Sequence, residues 1–211
     1  MMKKKLPVYK LMISNNTDEI TGVSIISFVK SPAIESNFIK FSADDNIQPT
    51  VLKMSIQDEE KRIVTGAVLI PDLPVYRKDE SGEYYIYCDK ECIYQIAQKF
   101  FKTNRNNNVD TEHSGLLLPG ITLFESFIAD EERGINCPKA YAGLPDGTWF
   151  ASFKVDNDEV WNEIKAGTFL GFSITGLFDM EKQPVTLSST REYEKNLIEI
   201  YNELSSIVSE L

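Results

Sequence analysis

Apolar and polar positions alternate along most of this chain, and they do so in short runs. Residues 8–14 (VYKLMIS) and 22–29 (GVSIISFV) have strand composition, and the Asn15-Asn16-Thr17-Asp18 turn separates them. Pro32 ends the second run, because a proline has no N–H to give a ladder. Further strands are predicted at 37–41, 51–56, 62–70 and 83–87, with a polar loop at 43–49. An exposed loop or hairpin is predicted at 71–82, where Pro71, Asp72, Pro74 and Gly82 cluster.

The period then changes. Ile93, Ile96, Ala97, Phe100 and Phe101 fall at i, i+3, i+4, i+7 and i+8, which predicts a helix over about 89–102. Asp89 and Glu91 suit its positive end. Strands follow around His113, at 121–128 and at 148–155, with a loop rich in proline and glycine at 130–147. Asp156 and Glu159 have the spacing of a capping box. The short helix they open carries Val160, Trp161 and Ile164, and Gly167 closes it in the left-handed region. Residues 168–178 form another strand and 179–187 read as a linker. A last amphipathic helix carries Tyr193, Leu197, Ile200, Tyr201 and Leu204 toward the terminus. This predicts an α+β, β-rich domain over 1–186 and a helix over 187–211 that packs on it, on a twin subunit in a homodimer, or on a scaffold.

Composition narrows the partners. The 211 residues suffice for one substantial core. The net charge is −10, so nucleic-acid binding is disfavoured, and Lys3-Lys4-Lys5 reads as a solvated terminus. No apolar run has the length of a signal peptide core or a membrane span, so neither is predicted. Three cysteines cannot all pair within one chain, and reduced thiols are the simplest reading. Cys88 and Cys92 with a single histidine are too few ligands for a zinc site, and no cofactor is predicted.

Candidate chemistry centres on that histidine, His113, the only one in the chain. A serine hydroxyl is a poor nucleophile until a base stands within hydrogen-bond reach, and imidazole is suited to that task near neutral pH. Any serine–histidine machine here must use His113. Ser173, in Gly171-Phe172-Ser173-Ile174-Thr175-Gly176, is the candidate nucleophile. It lies outside a Gly-x-Ser-x-Gly elbow, which excludes an α/β-hydrolase reading. A solitary histidine is more often structural or merely exposed, and a serine in an apolar strand is more often a satisfied small residue.

Taken in order, several segments carry a resemblance. They are Gly22-Val23-Ser24-Ile25-Ile26-Ser27, Ser31-Pro32-Ala33-Ile34-Glu35, and Gly66-Ala67-Val68-Leu69-Ile70-Pro71-Asp72. Asp110-Thr111-Glu112-His113, Phe124-Glu125-Ser126-Phe127-Ile128, Gly147-Thr148-Trp149-Phe150 and Gly171-Phe172-Ser173-Ile174 follow. In that order and spacing, over about residues 8–178, the chain resembles the phage prohead (capsid-maturation) serine proteases, and most closely their XkdF-like group. The resemblance implies a small antiparallel β-barrel flanked by helices, similar to the herpesvirus assemblin-type proteases. It implies His113 as general base and Ser173 as nucleophile. It implies phage scaffold protein and major capsid protein as substrates, self-cleavage, and a place inside the assembling prohead in the host cytoplasm.

The third member of the site is open. The enzymes resembled use a second histidine, and this chain has none. Glu125 is the first choice, since it stands mid-strand in an apolar run, where an unpaired carboxylate is costly to bury. Asp110 and Asp179 are runners-up. His113 is read on a strand with Asp110, so odd offsets send both Asp110 and Glu112 to the opposite face from it. Lys165 could form a dyad with Ser173 but suits the last turn of its helix, and Cys137 lies in a loop with nothing to position it. The rival reading is a structural or scaffold-interaction protein on the same fold, without turnover.

Overall fold

The computed structural model describes residues 5–32 and 53–188. The strand predicted at 37–41, the loop at 43–49 and the helix over 187–211 with its domain boundary lie essentially outside the described residues. Eleven strands and two α-helices occur among those described. β1 (Lys5–Met12), β2 (Gly22–Val29), β3 (Ser55–Asp58) and β4 (Ile63–Leu69) open the order. β5 (Val75–Asp79) and β6 (Gly82–Tyr87) form a hairpin, followed by α1 (Lys90–Lys102) and β7 (Val109–Thr111). Then come β8 (Ile121–Ile128), a 3-10 turn at Lys139–Tyr141, β9 (Trp149–Val155), α2 (Asp158–Lys165), β10 (Gly171–Leu177) and β11 (Asp179–Ser188).

The strands do not close into a barrel. They form three sheets, in the orders β11-β1-β6-β5, β10-β2-β7 and β3-β4-β9-β8. Nor is the pairing all antiparallel, since β1 runs parallel to β6 and β2 parallel to β7. Where β10 approaches β4 there is side-chain packing and no ladder. The Phe172 ring lies over Gly66, and a Cβ built there would stand 2.9 Å from Cε2 of that ring. Phe172 also packs edge-on against Phe28 and Phe153, with centroids 5.1 and 5.0 Å apart. These three rings fix β10 and β2 of one sheet onto β9 of another.

The two helices cover this core. Asp89 caps α1 by accepting from the Cys92 N–H at 2.8 Å. The helix buries Ile93, Ile96, Ala97 and Phe100 as its stripe predicts, while Phe101 stays exposed. α2 buries Val160, Trp161 and Ile164. Its cap is Asn157, one residue later than the capping-box spacing suggests, because Asn157 Oδ1 accepts the Val160 N–H at 3.0 Å. Trp149 and Trp161 are both core residues.

The predicted linker at 179–187 is instead β11. Its polar composition fits an exposed edge strand whose main chain pairs with β1. Register shifts between the Lys182 and Thr186 pairs, the stretch that holds Pro184, which cannot donate to a ladder. The loop predicted at 71–82 is half turn and half hairpin. Asp79 Oδ1 accepts the Ser81 N–H at 2.8 Å, and Gly82 takes φ +128°.

Asp72 opens that region in a left-handed conformation, φ 58°, with its N–H donated to Cys88 O at 2.7 Å. Its Oδ1 is buried without a partner. Burial first, and the nearby Asp89 charge second, push its carboxyl from 3.8 up to about 6. Between those values the folded chain holds a proton that the unfolded chain releases. Stability is therefore highest below about pH 4 with respect to this group, and falls as pH rises toward 6.

Two predictions follow from this packing. Gly66→Ala should lower stability by about 1–3 kcal/mol through overpacking against Phe172, read as the urea midpoint; an unchanged midpoint would mean the β10–β4 contact is loose. Asp72→Asn keeps the left-handed residue and removes the charge. It should be more stable than wild type by of order 1 kcal/mol at pH 7, after discounting for solvent screening, and equal to it near pH 4. Thermal unfolding at the two pH values checks both the sign and the window.

Candidate active site

The site begins where the β2–β7 ladder stops. β7 pairs in parallel with β2 as Ile26↔Val109, Ser27↔Asp110 and Phe28↔Thr111. The chain then turns, with Glu112 at φ 52° and His113 at φ 55°, both in the left-handed region, and Gly115 at φ 72°. Two consecutive non-glycine residues there cost on the order of 1–2 kcal/mol each. Four hydrogen bonds hold them. Glu112 N–H donates to Phe28 O at 3.0 Å and Ser114 N–H to Thr111 O at 3.0 Å. Glu112 Oε1 accepts the Lys30 N–H at 2.6 Å, and Asp110 Oδ2 accepts the Gly115 N–H at 2.7 Å.

This turn lays the imidazole of His113 over the β10-β2-β7 sheet. Its Nδ1 is 2.8 Å from Thr175 Oγ1 and 3.1 Å from Ser27 Oγ. With the proton on Nε2, Nδ1 accepts from both hydroxyls; with the proton on Nδ1, it donates to one of them. Among the described residues the imidazole makes no hydrogen bond to Ser173. Ser173 is nevertheless a neighbour by register. β10 pairs antiparallel with β2 as Ser173↔Ser27. Partners in a ladder share a face, as do residues two apart, so Asp110, Ser27 and Ser173 form a row across three strands, with Thr175 beside it. The opposite face carries Phe28 and Phe172 into the core.

Exposure separates the hydroxyls. Ser27 is fully buried and Ser173 is 7% exposed, whereas Thr175 and His113 lie open to solvent. Ser173 also borders an apolar groove along β10, walled by Leu69, Leu73, Val75, Ile86 and Ile174, with Arg77 among its lining residues. The arrangement offers a proton acceptor, a cluster of hydroxyls and an apolar cleft within one region. That is the equipment of a nucleophilic hydrolase.

The acids fall differently from their sequence-based ranking. Glu125 is exposed on β8, opposite Ser152 in a separate sheet, and has no hydrogen bond or ion pair with His113. Asp110 is the acid next to the histidine's turn. The period-two objection to it lapses because His113 is not on the strand: the left-handed turn reverses the chain two residues before period two would apply. Glu112 bonds the Lys30 amide, and Asp179 begins β11 opposite Met12. Lys165 is exposed in the last turn of α2. Cys137 is half-buried with its thiol 3.5 Å from Leu144 O, and burial pushes that thiol up, away from a reactive thiolate. Cys88 and Cys92 are buried, and the Cys92 thiol donates to Leu11 O at 3.1 Å. No group of three or more metal-ligating side chains occurs among the described residues.

Sequence reasoning missed Ser27 and Thr175. The signal for Ser27 was a hydroxyl flanked by Ile26 and Phe28 in a largely apolar strand. For Thr175 it was the two-residue offset from Ser173.

The chain is 28% identical over 167 residues to the phage-like element PBSX protein XkdF of Bacillus subtilis (strain 168), covering 77% of this chain and 55% of that protein. It is 25% identical over 182 residues to the uncharacterized protein YqbD of the same organism, covering 84% and 52%. The chain thus spans about half the length of these curated relatives. No solved structure matches it. The family model described as "Putative phage serine protease XkdF" matches residues 50–181, which include His113, Thr175 and Ser173. This chain belongs to that XkdF family of phage proteins.

Proposed function

We propose that this chain is a serine endopeptidase of phage prohead maturation, with Ser173 as nucleophile and His113 as general base. One observation carries the reading: the only imidazole in the chain sits hydrogen-bonded into a hydroxyl row of which, among the described residues, Ser173 is the member that borders the apolar groove. Ser27 is fully buried and cannot reach a polypeptide carbonyl without moving the strand. Thr175 is exposed, but its secondary hydroxyl already accompanies Ser27 in fixing the ring. Ser173 alone combines a place in the row with a place on the groove.

The chemistry needs the imidazole to engage Ser173 when substrate binds. His113 is exposed and held through Nδ1 by two hydroxyls of the row that contains Ser173, so a turn of the ring on substrate binding exchanges one hydroxyl partner for another. Catalytic hydrogen bonds are commonly long before substrate binds. With substrate in the groove, the neutral imidazole takes the Ser173 proton as Oγ bonds to the scissile carbonyl carbon. The imidazolium then protonates the leaving amine, and water releases the acyl group by the reverse sequence. Ser27 and Thr175 hold the ring between these steps. Glu125 takes no part. Scaffold and capsid-protein extensions inside the assembling prohead, and the chain itself, are the proposed substrates, in keeping with the family.

A second reading has its own observation. The hydroxyls that now occupy Nδ1 are those of Ser27 and Thr175, an arrangement that also suits a purely structural histidine. The chain would then be a non-catalytic scaffold-interaction protein.

A fluorophosphonate, which forms a covalent bond to an activated serine, distinguishes these readings without a known substrate. Wild type should label at Ser173 by peptide mapping. Ser173→Ala and His113→Ala should lose labelling by about 10³-fold or more. Ser27→Ala and Thr175→Val should keep it, slowed about tenfold. Intact-mass spectra of the same proteins, alone and with the phage scaffold protein, should show fragments from wild type and none from Ser173→Ala. Labelling at Ser27 or Thr175 would move the nucleophile. No label and no fragments from any protein, including within assembling particles, would favour the structural reading.

A further inference from the structure

We propose that Asp110 is the positioning residue of this site, acting through the Gly115 amide to hold the turn that presents His113. The inference rests on His113 being the functional imidazole. Asp110 is fully buried on the sheet face that carries Ser27 and Ser173. Its Oδ2 accepts the Gly115 N–H at 2.7 Å, and its Oδ1 is buried with no partner among the described residues. A buried carboxylate with half its capacity unused is unfavourable, so what its other half does matters. Here the other half closes a six-residue loop, 110–115, that runs from the middle rung of β7 through His113.

That loop needs closing. Glu112 and His113 both sit in the left-handed region, where side chains other than glycine's are disfavoured. Left to itself the segment would relax toward extended backbone and carry the imidazole off the hydroxyl row. Bonds at the start of the turn, from Glu112 N–H to Phe28 O and from Lys30 N–H to Glu112 Oε1, fix where it leaves β7. The Asp110–Gly115 bond fixes where it ends, past His113. With both ends held, Nδ1 stays within 3.1 Å of Ser27 and 2.8 Å of Thr175. Asp110 therefore does the orienting work usually assigned to a third catalytic member, without touching the imidazole.

The experiment uses the fact that His113 is the only histidine, so its ring nitrogen and carbon signals in NMR need no assignment. Wild type should show one fixed tautomer. Asp110→Asn keeps an acceptor for the Gly115 amide and should keep that signature. Asp110→Ala should give the averaged signals of a free imidazole, with fluorophosphonate labelling slowed about 10²-fold and core methyl signals unchanged. Ser173→Ala serves as the separating control: its ring signals should stay those of wild type while its labelling is lost. Ring signals in Asp110→Ala identical to those of wild type would overturn the proposal, whether or not the protein labels. A second measurement covers the case in which Asp110→Ala does not fold. The Gly115 amide of wild type should exchange with solvent at least roughly tenfold more slowly than in an unstructured peptide; exchange at the peptide rate would overturn the clamp without any variant.

Discussion

The pairing of β2 with β10 on one side and β7 on the other is the constraint on which the site depends. Ser27, Ser173 and Asp110 lie in one rung across these strands, and Phe28 and Phe172 fill the opposite face. A slip of one residue in either ladder would exchange the two faces, sending hydroxyls and a carboxylate into the aromatic core. The core therefore enforces the register. The three-ring contact among Phe28, Phe153 and Phe172, with room made by Gly66, holds the polar row in line as a consequence of burying apolar surface.

Two buried carboxylates show how differently the fold treats the same group. Asp72 has an unpartnered oxygen, a left-handed backbone and a carboxyl raised to about 6, and its charge lowers stability at neutral pH. Asp110 also leaves one oxygen unpartnered, but the other fastens the turn bearing the only imidazole. The first reads as a turn residue whose shape matters more than its charge. The second stands between the sheet and the candidate chemistry. Tension is concentrated in the same few residues, since Glu112 and His113 adopt conformations the chain would not choose unaided.

The chain belongs to the XkdF family of phage proteins. The family match runs over residues 50–181, so it contains β10 and the His113 turn but not β2. Ser27 reaches the site through the ladder rather than through the matched stretch. The relatives are about twice the length this chain covers.

Much of the local structure was legible in the sequence, because it is set by short-range chemistry. The β-branched run at 22–29 and the strand composition of 121–128 matched β2 and β8 to the residue, and the stripe from Ile93 to Phe100 matched the buried face of α1. The uniqueness of His113 made it the only imidazole open to a serine–histidine site, and the Gly171–Gly176 stretch raised Ser173 as its candidate partner. What the sequence could not supply is which strands meet and in what register, since ladders join residues up to 183 apart through backbone atoms common to every residue. Three open sheets in place of a barrel, β11 in place of a linker, and Ser27 and Thr175 in place of Glu125 beside the imidazole all follow from that pairing. The role of Asp110 turned on two φ angles at Glu112 and His113, which no periodicity reports, because tertiary hydrogen bonds hold them against local preference.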